Sequence, residues 1–138
     1  MSTKYQIVHQ SPEVSEFIRL RRSIGWGETE FEMAENSLES SLFNVSVYDD
    51  GMLVGIGRVV GDGYMYFYIQ DVVVEPTYQQ RGIGSLIMKE IESYLDATAK
   101  EGSTIGLLAA KGKESFYSKF GYRERSGDPL GKGMCKFV

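Results

Sequence analysis

Residues Asp71–Leu95 read DVVVEPTYQQRGIGSLIMKEIESYL, and this one stretch limits the folds open to the chain. A β-branched run at Val72, Val73 and Val74 reads as a buried strand. Ile83, Leu86, Ile87, Ile91, Tyr94 and Leu95 then recur at helical spacing, giving a helix from about Arg81 to Thr98 with one apolar face. A strand feeding a helix through so short a connection is the building unit of an α/β protein. Helix starts normally favour Ser, Thr, Asp or Asn, whereas this one is approached through Gln79, Gln80, Arg81 and Gly82, with Gly84 two residues later. A helix N-terminus exposes unpaired N–H groups and the positive end of the helix dipole, and glycine lets an anion approach them closely. Arg81 adds a fixed charge beside those amides. A phosphate or pyrophosphate held by main chain fits this pattern, and so does a merely tight strand-to-helix connection. Two familiar phosphate motifs are excluded: there is no Gly-x-x-x-x-Gly-Lys-Ser/Thr run, and Ile87 stands where a dinucleotide fingerprint needs its third glycine.

The rest of the chain supplies partners for this unit. Tyr5–Val8 is a short first strand. A helix is expected over SPEVSEFIRLRRSI, with Ser11 as cap, Pro12 in the first turn, and Val14, Phe17, Ile18 and Arg21 along one side. A second is expected over TEFEMAENSLESSL, with Thr29 and Glu32 spaced as a capping box and Phe31, Ala34, Leu38 and Leu42 as its stripe. Asp50-Gly51 joins FNVSVY to MLVGIGRVV as a hairpin, and Gly61-Asp62-Gly63 turns the chain into a long third strand, YMYFYIQDVVV. TIGLLAA reads as a buried strand, and KESFYSKF as a short helix ended by Gly121. YRER and MCKFV read as two closing strands. The expectation is a single α/β domain over residues 1–138, in the order β-α-α-β-β-β-α-β-α-β-β, with a mixed sheet.

With 138 residues, 42% of them hydrophobic and 25% charged, the composition is that of a globular domain. A formal net charge of −4 supplies no field for nucleic acid or anionic membrane, so neither is expected as a partner. Cys135 and His9 are the only cysteine and histidine, which leaves no metal-ligand cluster and no histidine-based triad. The N-terminal MSTKYQIVHQ lacks an apolar core segment, and no run approaches ~20 apolar residues, so a cytoplasmic location is expected.

The segment Gln79-Gln80-Arg81-Gly82-Ile83-Gly84 resembles the Gln/Arg-x-x-Gly-x-Gly/Ala signature of the GNAT superfamily, the acetyl-CoA-dependent N-acetyltransferases. IQDVVVEP before it resembles the strand that family places under the pantetheine arm. FYSKFGYRER, from Phe116, resembles the family's later Phe-Tyr-x-Lys-x-Gly-Phe/Tyr segment. The two motifs stand in the family's order with one strand between them, and the element order agrees over nearly the whole chain. The resemblance implies acetyl-CoA as co-substrate, no metal, and a central parallel strand pair that splays apart. It implies that the amides of Gln79, Gln80, Arg81, Gly82, Ile83, Gly84 and Ser85 take the pyrophosphate, and that the backbone of Val72, Val73 and Val74 pairs with the pantetheine. It also leaves a homodimer open.

Family chemistry is direct attack of an amine on a thioester. This needs a neutral amine, stabilisation of the oxyanion and a proton for the departing thiolate. A lysine-like amine has a pKa of about 10.4 and must lose a proton to a base or a water chain. A main-chain N–H of the Val72–Val74 strand would polarise the carbonyl; one such donor is worth roughly 2.7–4 kcal/mol. Tyr117 matches the tyrosine many members use as the acid; in residue terms alone it is equally a packing aromatic beside Phe116 and Phe120. Asp71 is the candidate base or a structural carboxylate. IQDVVV resembles Ile-Glu-Asp-Ile-x-Val of the glucosamine-phosphate N-acetyltransferase branch, but Gln70 replaces its Glu and cannot be a base. Strict alternation would put Tyr68, Gln70 and Val72 on one face and Ile69, Asp71 and Val73 on the other. Trp26 and Glu28, between the first two helices, are candidates for the acceptor pocket together with Gln70, Glu28 by meeting an ammonium group; an aromatic plug in a plain loop is the alternative. Lys113 reads as solvated, His9 as structural or exposed, and Cys135 as a packing residue. The expected activity is N-acetylation of a primary amine, a small molecule by preference. A protein or peptide amine is the alternative acceptor, and a non-catalytic acyl-CoA-binding module is the alternative of another class.

Overall fold

The protein is described by a computed structural model covering residues 4–138. Its elements are β1 (Tyr5–Val8), α1 (Val14–Ser23), α2 (Phe31–Glu39), β2 (Phe43–Asp49), β3 (Met52–Gly61), β4 (Tyr66–Val74), α3 (Ile83–Thr98), β5 (Thr104–Leu107) and α4 (Glu114–Ser118). The chain divides into two compact units, Met1–Leu107 and Leu108–Val138.

The first unit holds a five-stranded sheet in the order β1-β2-β3-β4-β5. All neighbours are antiparallel except β4 and β5, which run parallel. The β2–β3 turn uses positive φ at Asp50 (50°) and Gly51 (82°), as its Asp-Gly pair requires. Asp62 organises the next turn, accepting the backbone N–H groups of Tyr64, Met65 and Tyr66 at 2.8–3.0 Å.

Helix α3 covers one face of the sheet. Ile83, Ile87, Met88, Ile91 and Leu95 are its buried residues; of the apolar face expected, Leu86 and Tyr94 are half-buried, and Met88 takes a core place the expectation did not include. It lies close over β3: a Cβ on Gly57 would stand 2.5 Å from Ile87 Cγ2 and 3.0 Å from Ile91 Cδ1. The neighbouring residue Ile56 points the other way, into a cluster with Phe17, Leu20, Ala34, Leu38, Leu53 and Val73, so α1 and α2 cover the opposite face.

Both helix starts differ from expectation. Helix α1 begins at Val14 after Glu13, with no side-chain cap; Pro12 is buried and the helix begins beyond it. Helix α2 is capped one residue later than the Thr29–Glu32 box, by Glu30, whose carboxylate accepts the Met33 N–H at 3.2 Å. Its stripe reduces to Ala34 and Leu38: Phe31 is 55% exposed and Leu42 lies past the helix end. Burial of Ala34 and Leu38 sets the helix rotation, and a local capping pattern does not register it.

In the second unit, α4 is short and ends toward Gly121 at φ 93°, as expected. The two closing strands expected at YRER and MCKFV are not formed: no strand lies between 122 and 138. A strand needs a partner edge to satisfy its backbone, and alternation alone does not supply one. Leu130, Met134 and Phe137, apolar residues of this segment, are 64%, 93% and 92% exposed.

Candidate active site

The glycine turn begins where β4 ends. Glu75 accepts the Thr77 N–H at 2.8 Å and starts a single 3₁₀ turn, Pro76–Tyr78. Gln79 Nε2 donates back to the Val74 carbonyl at 3.1 Å, tying the turn to the strand end. Tyr78 donates its hydroxyl to Asp49 at 2.7 Å, and the Arg81 guanidinium lies over the Tyr78 ring at 4.8 Å, which fixes a cation beside the turn. Gln80 (φ 64°) and Gly82 (φ 83°) are both left-handed. Gly82 is the N-cap of α3 and no side chain caps the helix; the first α-helical bond is donated by Leu86 to the Gly82 carbonyl. The side chains of Gln79, Gln80 and Arg81 are exposed, while Ile83 is buried under the sheet and offers only its amide. The Gln79 N–H, expected among the phosphate-binding amides, instead closes the 3₁₀ turn on the Pro76 carbonyl at 3.4 Å. The uncapped amides of the α3 start, an absent Cβ and an adjacent guanidinium are what a pyrophosphate requires.

Strand β4 carries the second element. Its pairing with β5 runs from Tyr66↔Thr104 to Ile69↔Leu107, so over Gln70–Val74 its only strand partner among the described residues is β3. That is the splay expected of the central pair. Opposite β3 the register slips: Ile56 faces Val73, but Arg58 faces Gln70. Asp71 and Val72 therefore stand against the single residue Gly57, a β-bulge with Asp71 at φ 56°. Because Val59, opposite Ile69, and Ile56, opposite Val73, lie on different faces of β3, Ile69 and Val73 also lie on different faces. This corrects the strict alternation expected of the strand, since the extra residue reverses the facing.

The bulge aims Asp71, 3% exposed, at a guanidinium of α1 and another of β3, on the α1–α2 side of the sheet. Its Oδ2 accepts from Arg58 Nε at 2.8 Å and its Oδ1 is paired with Arg21 Nη1. Gln70 Nε2 also donates to Oδ1, at 3.1 Å. Arg58 reaches on to the Ser37 carbonyl and the Ser41 hydroxyl. Arg21 lies over the rings of Trp26, at 5.2 Å, and Phe17, at 5.8 Å. Both oxygens of Asp71 are thus engaged by guanidinium groups, and Gln70 belongs to the same network. Glu28, expected to meet an ammonium group, is paired with Arg22 instead, whose hydrogen bonds hold its carboxyl below the usual carboxylate range. Trp26 stays 39% exposed. The sequence reading passed over Arg58, although a lone cation inside the apolar strand MLVGIGRVV calls for a buried counter-ion, and Asp71 is the acid that the neighbouring strand offers.

Tyr117 belongs to the second unit, on α4. Its ring meets Phe116 edge-on at 5.0 Å, and Phe116 meets Phe120 at 5.5 Å. Burial raises the phenol above its ordinary 10.0, so it holds its proton at neutral pH. Lys113 and Cys135 are exposed, the latter not packed as expected, and His9 pairs with Glu90 at 2.6 Å. Among the described residues no three His, Cys, Asp or Glu side chains are grouped to hold a metal, and no helix is long and apolar enough to cross a membrane.

Comparison with known proteins places these features in context. The acetyltransferase (GNAT) domain family matches residues 41–124. The crystal structure of the probable acetyltransferase SA2161 of meticillin-resistant Staphylococcus aureus, a protein of unknown function, has a TM-score of 0.89. It is 33% identical, over 97% of this chain and 99% of that one. The uncharacterized N-acetyltransferase ycf52-like of Prochlorococcus marinus is 30% identical over 116 residues, 80% of this chain but 62% of that protein's length. Serotonin N-acetyltransferase 2, chloroplastic, of rice (Oryza sativa subsp. japonica) is 33% identical over 104 residues, 75% of this chain and 46% of its own length.

Proposed function

Because the chain belongs to the GNAT family of acetyltransferases, we propose that it transfers an acetyl group from acetyl-CoA to a primary amine of a small molecule by direct attack. The observation that carries this reading is the turn at the α3 N-terminus, uncapped, left-handed at Gln80 and Gly82, and placed at the end of a strand whose last five residues leave β5. In this reading the amides of Gln80–Ser85 and the Arg81 guanidinium hold the pyrophosphate, and the backbone of Val72–Val74 holds the pantetheine arm. Acetyl-CoA supplies an acyl group already activated as a thioester. The chain supplies orientation, a main-chain N–H of the bulged strand to polarise the carbonyl, and Tyr117 as the acid that keeps its proton until the thiolate leaves. Asp71 is read as a positioning residue, since both of its oxygens are engaged by arginines, and the amine loses its proton to water. A rice relative named for an amine, serotonin, supports a small acceptor.

Calorimetric titration with acetyl-CoA, with NAD and ATP as controls, tests the cofactor reading, and thiol release with a panel of amines tests the transfer. Selective acetyl-CoA binding followed by amine-dependent thiol release is the expected result. Absence of acetyl-CoA binding would leave Gly82 and Gly84 as a tight connection. Binding without release for any small or peptide amine would make the protein an acyl-CoA-binding module.

A further inference from the structure

The buried ion cluster on the α1–α2 side of β4 carries a charge imbalance that acetyl transfer does not use. Two guanidiniums, Arg21 and Arg58, share one carboxylate, Asp71, and so one positive charge is left over. The other charges of α1 are matched, Glu16 with Arg19 at 3.0 Å and Arg22 with Glu28 at 2.8 Å. The surplus therefore sits at Arg21 and Arg58. Arg58 is further occupied by Ser37 and Ser41, whereas the Nε of Arg21 is buried and without a hydrogen-bond partner among the described residues. A buried, unpartnered donor on a cation is uncommon and calls for an acceptor. The Arg21 side chain is 21% exposed and packs against the indole of Trp26, itself 39% exposed.

We propose that Arg21, with Arg58 and Trp26, binds an anionic group, a carboxylate or a phosphate, carried by the acceptor amine. The proposal rests on reading this side of β4 as the acceptor side. A guanidinium held against an aromatic ring, with one donor lacking a partner, is matched by the oxygens of either group. The same buried surplus charge favours the neutral form of the attacking nitrogen. The acceptor class is then amino acids or amino phosphates, not simple alkylamines.

The test is calorimetric titration of the protein saturated with CoA, using β-alanine, O-phosphoethanolamine and n-propylamine as probes. The expected result is that at least one of the two anion-bearing amines binds at least tenfold more tightly than n-propylamine. The preference should weaken as salt is raised. Whichever of the two binds more tightly names the group. In Arg21→Met, checked for folding by circular dichroism, the preference should fall at least tenfold. Should that variant not fold, inorganic phosphate should displace the preferred probe from the wild-type protein. Equal binding of all three probes, tighter binding of n-propylamine, or binding of none overturns the proposal, as does a folded Arg21→Met that keeps the preference. Failure here leaves the cofactor reading standing, because the acetyl-CoA titration reads that separately.

Discussion

Replacing Asp71 by Asn removes one charge while keeping the shape of the side chain and a residue type that tolerates φ 56°. Asp71 is 3% exposed and is the counter-ion of two arginines. Removing one partner of a buried ion pair costs about 3–5 kcal/mol, because the surviving charge is left uncompensated. The Arg21 and Arg58 side chains keep 21% and 13% exposure, which lets water offset part of that loss, so about 2–4 kcal/mol is expected. For a chain of this size the loss corresponds to a fall of roughly 10 °C in the melting midpoint. Asp71→Ala should cost about 1 kcal/mol more, since alanine pays for the left-handed backbone that Asn accepts. Urea unfolding followed by circular dichroism measures both, with an unchanged m-value required for the comparison. A loss in Asp71→Asn below about 0.5 kcal/mol, the range of an ordinary surface substitution, would refute the buried-charge argument. A stable Asp71→Asn without turnover, its acetyl-CoA binding intact, would make the carboxylate the general base instead.

Tyr117→Phe should lower turnover while leaving acetyl-CoA affinity within twofold, measured by thiol release and calorimetry; unchanged turnover would remove Tyr117 as the acid. Burial raises the phenol above 10.0 in the folded state, so the folded chain holds that proton more tightly than the unfolded one. The stability this gives is complete below pH 10 and is lost as pH rises through the raised folded value; urea midpoints between pH 9 and 11 should fall less steeply in Tyr117→Phe. Gly82→Val forces a β-branched residue to φ 83° and should cost about 1–2 kcal/mol of stability, while weakening acetyl-CoA by more than a hundredfold, about 2.8 kcal/mol; a loss of stability larger than the loss of binding would favour the tight-turn explanation. Gly57→Ala places a Cβ 2.5 Å from Ile87 Cγ2 and should destabilise by about 1–3 kcal/mol, with partial rescue by Ile87→Leu in the same chain, since leucine has no branch at Cβ.

Much of the site could be read along the chain because its parts are consecutive. The strand, the turn from Gln79 to Gly84 and the helix form one continuous segment, and the left-handed geometry of Gly82 follows from its residue type. The hairpin at Asp50-Gly51 and the apolar face of α3 were legible for the same reason: each depends on periodicity or on turn chemistry within a few residues. The capping of α1 and α2 was misplaced by two residues and by one because the core positions Phe17, Ile18, Ala34 and Leu38 set the helix rotation. The closing strands were misread because alternation at YRER and MCKFV says nothing about a partner edge.

The sequence by itself therefore determined the α/β class, the order of the elements through α4 and the glycine turn that leads into α3, all products of local pattern. Only the tertiary structure decided where Asp71 faces and what it meets. A bulge arises from a mismatch in register between two strands, and neither β3 nor β4 shows it alone. Arg21, Arg58 and Asp71 are separated by 13 to 50 positions along the chain, and no spacing rule connects them. Their common burial brings them together, and charge balance in a medium that solvates ions poorly makes them one unit.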